Sequence, residues 1–182
     1  MEVSEGFPPI GHVDARVLVL GTLPSARSLT EQKYYAHPRN AFWPIMRELF
    51  GISGEYDERC AALALQKIAV WDVLRASVRP GSMDADIRQD TAATNDFGAF
   101  FETHPGLELV AFNGKKSKQL FDRMVAGEHR RLHRHTGLPS TSPAYAVMSF
   151  SGKLDLWRAG LESVLLTEAC SKTKGNENDR LR

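Results

Sequence analysis

Cysteine is nearly absent from this chain, with Cys60 and Cys170 alone among 182 residues. Two thiols so far apart make neither a disulfide framework nor a metal-binding one. Cys60 falls in an alanine- and leucine-rich segment and reads as a small core residue. Long apolar runs are missing too, which excludes a membrane-spanning helix, and the opening MEVSEGFPPIG lacks the apolar stretch of a secretory signal. A cytoplasmic protein with no membrane partner is the expectation. Charge of one sign is not in excess: the formal net charge is +1, so overall charge argues neither for nor against nucleic acid. There is no G-x-x-x-x-G-K-S/T phosphate loop, no internal repeat and no interdomain linker.

What the chain does contain is enough apolar material for one substantial core, at 42% hydrophobic residues. One domain over residues 1–170 is expected. The polar, aperiodic stretch SKTKGNENDRLR, residues 171–182, reads as a disordered tail.

Apolar runs at 16–20, 68–71 and 107–112, with a weaker one at 131–136, read as strands buried on both faces, as in a parallel sheet. Between them lie helical patterns. Phe42, Ile45, Met46, Leu49 and Phe50 recur at helical spacing up to Gly51, which should end the helix. Asp57 and Asn95 are candidate caps of two further helices. Another helix follows Gly114, and the last carries the stripe Leu154, Trp157, Leu161, Val164 and Leu165. Strands alternating with helices predict an α/β fold, a three-layer α/β/α sandwich.

In a parallel sheet the functional loops follow the carboxyl ends of strands. Three loops stand there: 21–40 after the first strand, Asn113-Gly114 after the third, and 138–143, LPSTSP, after the fourth. Each alone is an ordinary turn; together they predict one crevice. The first loop contributes Gly21, Thr22, Leu23, Tyr34, Tyr35, His37, Arg39 and Asn40. Two tyrosines offer flat faces, and the histidine, arginine and asparagine can bond to edges and phosphates. That inventory suits a nucleobase better than a sugar or a peptide. Between Asn113 and His135, Lys115, Lys116, Lys118, Arg123, Arg130, Arg131 and Arg134 face only Asp122 and Glu128, which predicts a basic surface. His129 and His133 lack cysteine or carboxylate partners nearby and are not read as metal ligands. Asp84-Ala85-Asp86 is a weak metal-binding candidate, and would matter only if the chain were a nucleotide hydrolase.

The motifs GTLPSARSL, YYAHPRNAFW, FNG and LPSTSPA, in this order, resemble the uracil-DNA glycosylase superfamily, and within it the hypoxanthine-DNA (deoxyinosine) glycosylase branch. The resemblance runs from about residue 13 to 157. It implies a four-stranded, mostly parallel sheet between helices. It also implies hydrolysis of the N-glycosidic bond of a deaminated base, hypoxanthine first and uracil second, in double-stranded DNA. The chain departs from the uracil-specific members. Its first motif has no water-positioning aspartate, and Leu138 stands where those enzymes have a histidine. Two cysteines cannot supply the four that the iron–sulfur branches need. The hypoxanthine branch instead has an asparagine at the end of the first motif, matching Asn40.

A base stacked in a duplex is inaccessible, so such an enzyme must flip it out. Tyr34, Tyr35 and Phe112 are the candidate faces for the flipped base, with Gly21, Thr22 and Leu23 lining it. Asn113 is the candidate reader of its lactam edge. Asn40 is expected to orient the attacking water, its alternative being a helix cap. His37 is the candidate proton donor, or else a loop residue at phosphate. Ser140, Thr141, Ser142, Arg131 and Arg134 are the candidate DNA contacts, with Leu138 or Tyr145 as the wedge entering the vacated stack. Lys115 and Lys116 read as phosphate contacts, so no Schiff-base strand cleavage is expected. The reading is a monofunctional, monomeric enzyme with no cofactor and no metal. The alternatives are a non-catalytic lesion-binding protein and a mismatch-specific uracil or thymine glycosylase.

Overall fold

The computed structural model describes residues 3–165 apart from Ser82 and Arg131, with nothing said of the Arg130 side chain. Arg131, Cys170 and the 171–182 tail lie outside the described residues.

The central sheet consists of β2 (Val17–Gly21), β3 (Ile68–Asp72), β6 (Leu109–Asn113) and β7 (Arg134–Leu138), all parallel, in the order β3-β2-β6-β7. The chain leaves β2 toward β3 on one side, then returns past it to β6 and β7 on the other. The reversal lies between β2 and β6, whose registers pair Leu20 with Phe112. At such a reversal the two crossovers diverge and leave a crevice outside the carboxyl ends.

Alternation along β2 divides the core. Leu18 and Leu20 enter one cluster with Phe97, Phe100 and Phe101 of α4 (Phe97–Thr103) and Leu120 and Phe121 of α5 (Lys115–Met124). Val17 and Val19 enter the other with residues from four elements. Three of these elements are helices: Phe42, Ile45 and Met46 lie on α2 (Phe42–Phe50), Leu63 on α3 (Tyr56–Leu65), and Trp157, Leu161 and Val164 on α7 (Phe150–Leu165). The fourth is the central sheet itself, through Ile68, Val70, Leu109 and Ala111. This is the expected three-layer α/β/α sandwich. Cys60 on α3 is half-buried against the second cluster. Gly51 ends α2 with φ 69°, a left-handed turn that glycine adopts without penalty. Two short helices, α1 (Ala26–Glu31) and α6 (Gly127–Arg130), complete the set.

Three expectations need correction. Glu55, rather than Asp57, caps α3: its main-chain N–H donates to Glu58 Oε2 at 2.7 Å, and Asp57 lies in the first turn. Asp96, rather than Asn95, caps α4 by accepting from Ala99 N at 3.0 Å. Asn95 is buried and its Nδ2 donates to the Asp72 carbonyl at 2.8 Å. The fourth strand begins at Arg134, three residues later than the 131–136 run. A second, antiparallel sheet of β1 (Val3–Glu5), β4 (Leu74–Val78) and β5 (Ala93–Thr94) was not anticipated. β1 and β5 have three and two residues, too short to show a period, and polar residues interrupt the five-residue β4, LRASV.

Candidate active site at the carboxyl edge of the sheet

The three marked loops do line one crevice, of about 450 Å³, above the carboxyl ends of β2, β3 and β6. Gly21, Thr22, Leu23, Tyr35, His37 and Asn40 come from the first loop, Asn113 and Lys115 from the third strand's end, and Ser140 and Ser142 from the last.

Two hydrogen-bond sets tie these loops together. Asn113 Nδ2 donates to Thr141 Oγ1 at 2.8 Å, and Asn113 Oδ1 accepts from Thr141 N at 2.8 Å. Ala41 N donates to the Thr141 carbonyl at 2.9 Å, so the Asn40 loop hangs on the same residue. Gly114 has φ 101°, and a Cβ there would stand 3.0 Å from Ser140 Cβ, so the close approach of the two loops needs glycine. From below, Trp157 Nε1 donates to the Pro139 carbonyl at 2.9 Å, and the buried Lys153 Nζ to the Tyr145 carbonyl at 2.8 Å.

The first loop is held from the other side. Arg79, 6% exposed, donates through Nη1 to the Leu23 carbonyl at 3.4 Å and through Nη2 to the Pro24 carbonyl. Thr22 Oγ1 donates to Asp84 Oδ1 at 2.5 Å. Asp84 is thereby engaged in the wall of the crevice, a structural task for a residue considered as a metal ligand. Burial raises the Asp84 carboxyl, and the Thr22 bond opposes this. Burial lowers the Arg79 guanidinium, with Asp84 and Asp72 opposing.

Asn40 is half-buried at the mouth, and its Oδ1 accepts from Phe42 N at 2.9 Å. It thereby satisfies the first free N–H of α2 from the residue before the N-cap Ala41, which makes no side-chain cap bond of its own, and its Nδ2 is left for the crevice. The two readings of Asn40 are compatible. His37 Nδ1 accepts from Arg39 N at 3.1 Å, which places the proton of the neutral ring on Nε2. Tyr35, at φ 55°, stacks on Phe42 with centroids 4.1 Å apart. Its hydroxyl is buried and has no hydrogen-bond partner among the described residues. Burial, then Asp72, raise its ionisation above the ordinary phenol range, and the Asn113 amide offsets part of this.

Several expected site residues are placed elsewhere. Tyr34 is 3% exposed, edge-on to Phe7, with its hydroxyl 3.3 Å from the Phe7 and Pro8 carbonyls, so its ring is core and only its rim reaches the crevice. Phe112 is fully buried against Phe121 and His135 beneath the floor. Asn113 is occupied by Thr141 before any base edge. Thr141, 1% exposed, is a buried anchor, while Ser140 and Ser142 remain half-buried at the wall. Leu138, 6% exposed, packs against Gly160 of α7, which removes it as a wedge. Arg134 starts β7, opposite Leu109, so it lies at the amino edge of the sheet, roughly 13 Å along the strand from the crevice. The basic window is therefore split, and among its described residues Lys115 and Lys116 belong to the crevice.

Asp72 and Arg79 were missed. Asp72 ends an apolar strand, and the carboxyl-end rule that marked the other three loops would have marked it too.

The geometry is matched by known proteins. Residues 8–161 fit the family model described as the Uracil DNA glycosylase superfamily. The chain belongs to that superfamily. Its members are DNA N-glycosylases, and this chain is one of them. It is 35% identical over 150 residues to a hypoxanthine DNA glycosylase of Methanosarcina acetivorans, covering 78% of this chain and 88% of that protein. It is 39% identical over 117 residues to the Methanosarcina barkeri protein of the same name, covering 63% and 73%. The solution NMR structure of a "putative Uracil DNA glycosylase" from M. acetivorans superposes with a TM-score of 0.71 at 30% identity, over 87% of this chain and 98% of that one. The superfamily resemblance read from YYAHPRNAFW and LPSTSPA is borne out, as is the parallel-sheet fold. No helix among the described residues is long and apolar enough to cross a membrane.

Proposed function

We propose that this glycosylase removes hypoxanthine from duplex DNA by accepting the flipped nucleotide into the crevice between β2 and β6. The observation that supports this best is the fastening of the Asn40 and Asn113 segments to Thr141 of the last loop, which brings Asn40 and His37 to the cavity that the Gly21 turn also lines. The names of the two Methanosarcina relatives point to the same base.

Breaking the glycosidic bond develops positive charge on the sugar and negative charge on the base. Asn40 orients the water through its Nδ2 edge. An amide is too weak a base to remove a proton early, so the sugar cation forms before the water commits. Backbone N–H groups of the 21–23 turn stabilise charge on the departing base, as preorganised donors do at other developing anions. Tyr35 supplies the flat wall. Asn113 holds the Thr141 loop and keeps one Nδ2 hydrogen for the base. Ser140, Ser142, Lys115 and Lys116 meet the flanking phosphates. Tyr145 lines the crevice, and Val147 beyond it is 85% exposed, so this segment, rather than Leu138, enters the vacated stack.

The test is release of free base from duplexes carrying hypoxanthine, uracil, xanthine or a thymine mismatch, in the presence of a chelator. Hypoxanthine release without strand cleavage is expected. Binding to the hypoxanthine duplex with no base released would identify a lesion-binding protein instead.

A further inference from the structure

Asp72 is the most buried carboxyl among the described residues that line the crevice, and the mechanism above does not use it. It closes β3 directly opposite Gly21, is 4% exposed, and lines the cavity. Its Oδ1 occupies the space that a Cβ on residue 21 would fill, so the glycine is what lets the carboxyl reach the turn. Its Oδ2 has no hydrogen-bond partner among the described residues. The tie that fixes Asp72 is its main-chain carbonyl, held by Asn95. Among the described residues the carboxyl makes no hydrogen bond or ion pair that would give it a structural task.

We propose that the Asp72 carboxyl is a general acid that hydrogen-bonds a basic ring nitrogen (N3 or N7) of the bound purine and protonates it as the glycosidic bond breaks. The inference rests on the glycosylase reading and extends it. As the bond between the sugar C1′ and N9 breaks, its electron pair goes to the base. The Asp72 proton moves to the ring nitrogen, and hypoxanthine leaves neutral. Water adds to the sugar cation and loses a proton, and a proton from solvent restores the acid.

The surroundings favour this form. Asp84 faces Asp72 from the 84–86 turn, Tyr34 and Tyr35 from the first loop, and Arg79 from the end of β4; Lys116 of α5 faces Asp84. Arg79 spends its fork on the Leu23 and Pro24 carbonyls and makes no ion pair with Asp72. A buried carboxylate without an ion pair is costly, so the group keeps its proton. Burial first, then Asp84, push the carboxyl up to about 8, with Arg79 opposing. An acid in that range is matched to proton transfer near neutral pH.

The test is single-turnover excision of hypoxanthine from pH 5.5 to 9.5 by the wild type and Asp72→Asn, with binding to a duplex carrying uncleavable 2′-fluoro-2′-deoxyinosine. The wild-type rate should be level at low pH and fall about tenfold per unit above the acid's titration near 8. Asp72→Asn keeps the shape and a donor, so binding should stay within about threefold. Its rate should drop on the order of 10²-fold at pH 6, and the fall near 8 should vanish. An unchanged rate and profile in the variant overturns the acid and leaves the glycosylase reading intact, as does a parallel loss of rate and binding. Absence of base release by the wild type from any duplex overturns both. If the variant fails to fold, a wild-type rate that is flat to pH 9.5 overturns the acid by itself.

Discussion

The two edges of the central sheet are built from similar residue types and do different things. At the amino edge, Arg16 pairs with Glu108 at 2.6 Å, Arg134 donates to Ser163 at 3.0 Å, and the His133 ring packs edge-on against Phe101 at 4.6 Å. Burial lowers the His133 imidazole, which favours its neutral form. At the carboxyl edge, Asn40, His37, Asp72, Tyr35 and Asn113 surround a cavity. Histidine and cations alone therefore do not mark a site. Strand direction decides, because the crossovers diverge only at the carboxyl end between β2 and β6.

The largest effect expected at that edge is on catalysis. Asn40→Ser keeps an oxygen that can accept from Phe42 N at the start of α2 and removes the amide's reach. Its single-turnover rate should fall on the order of 10²-fold, roughly 2.7 kcal/mol of barrier, with thermal stability nearly retained. Asn40→Ala should lose both rate and about 1 kcal/mol of stability. A serine variant that remains fully active would reduce Asn40 to a cap.

Removing Lys115 and Lys116 together by alanine should weaken duplex binding on the order of tenfold, damaged and intact alike, and flatten its salt dependence by roughly two charges. An unaltered salt slope would place the DNA elsewhere.

The fastening at Thr141 should show in stability. Asn113→Ala loses two hydrogen bonds, about 2 kcal/mol, and Thr141→Val loses one, about 1 kcal/mol. The double variant should cost less than the sum, since the two changes share a bond. Additive losses measured by denaturant unfolding would contradict the shared bond. Asn113→Ala should also shift the relative rates on hypoxanthine and uracil.

Asp72 should couple folding to pH. Its carboxyl holds a proton in the folded chain, up to about 8, at pH values where the unfolded chain has lost it. Its contribution to stability is therefore complete below about pH 4 and lost as pH rises through 8. Asp72→Asn should remove that part of the slope of melting temperature against pH. The smallest effect belongs to the amino edge: Arg134→Glu should leave DNA affinity unchanged within about twofold. A tenfold loss there would restore the continuous basic face that the sequence suggested.

Much of this was legible in the chain. Apolar runs of four or five residues bounded by Gly21 and Asn113 mark buried parallel strands because both of their faces lie in the core. The motif order placed three loops at one edge, and the stripe through Trp157 and Leu161 marked the last helix. Asn113 and Phe112 show where the reading stopped. They are adjacent, and the sequence assigned both to the base, yet the pleat turns Phe112 into the core while the amide meets Thr141, 28 residues on. Side-chain partners at such separation leave no periodic signal. Capping by Glu55 and Asp96 was misjudged by one or two positions for a local reason: neighbouring acids and amides compete for the same cap.

The sequence by itself determined the layers, the direction of the sheet and the family, because burial period and motif order are local properties of the chain. The tertiary structure alone decided which polar groups work together. It set Asp72 beside Gly21, carried Arg134 to the far edge, and hung the Asn40 and Ser140 loops on one buried threonine. Those outcomes depend on strand order and register, which bring distant residues into contact and are written in no single stretch of the sequence.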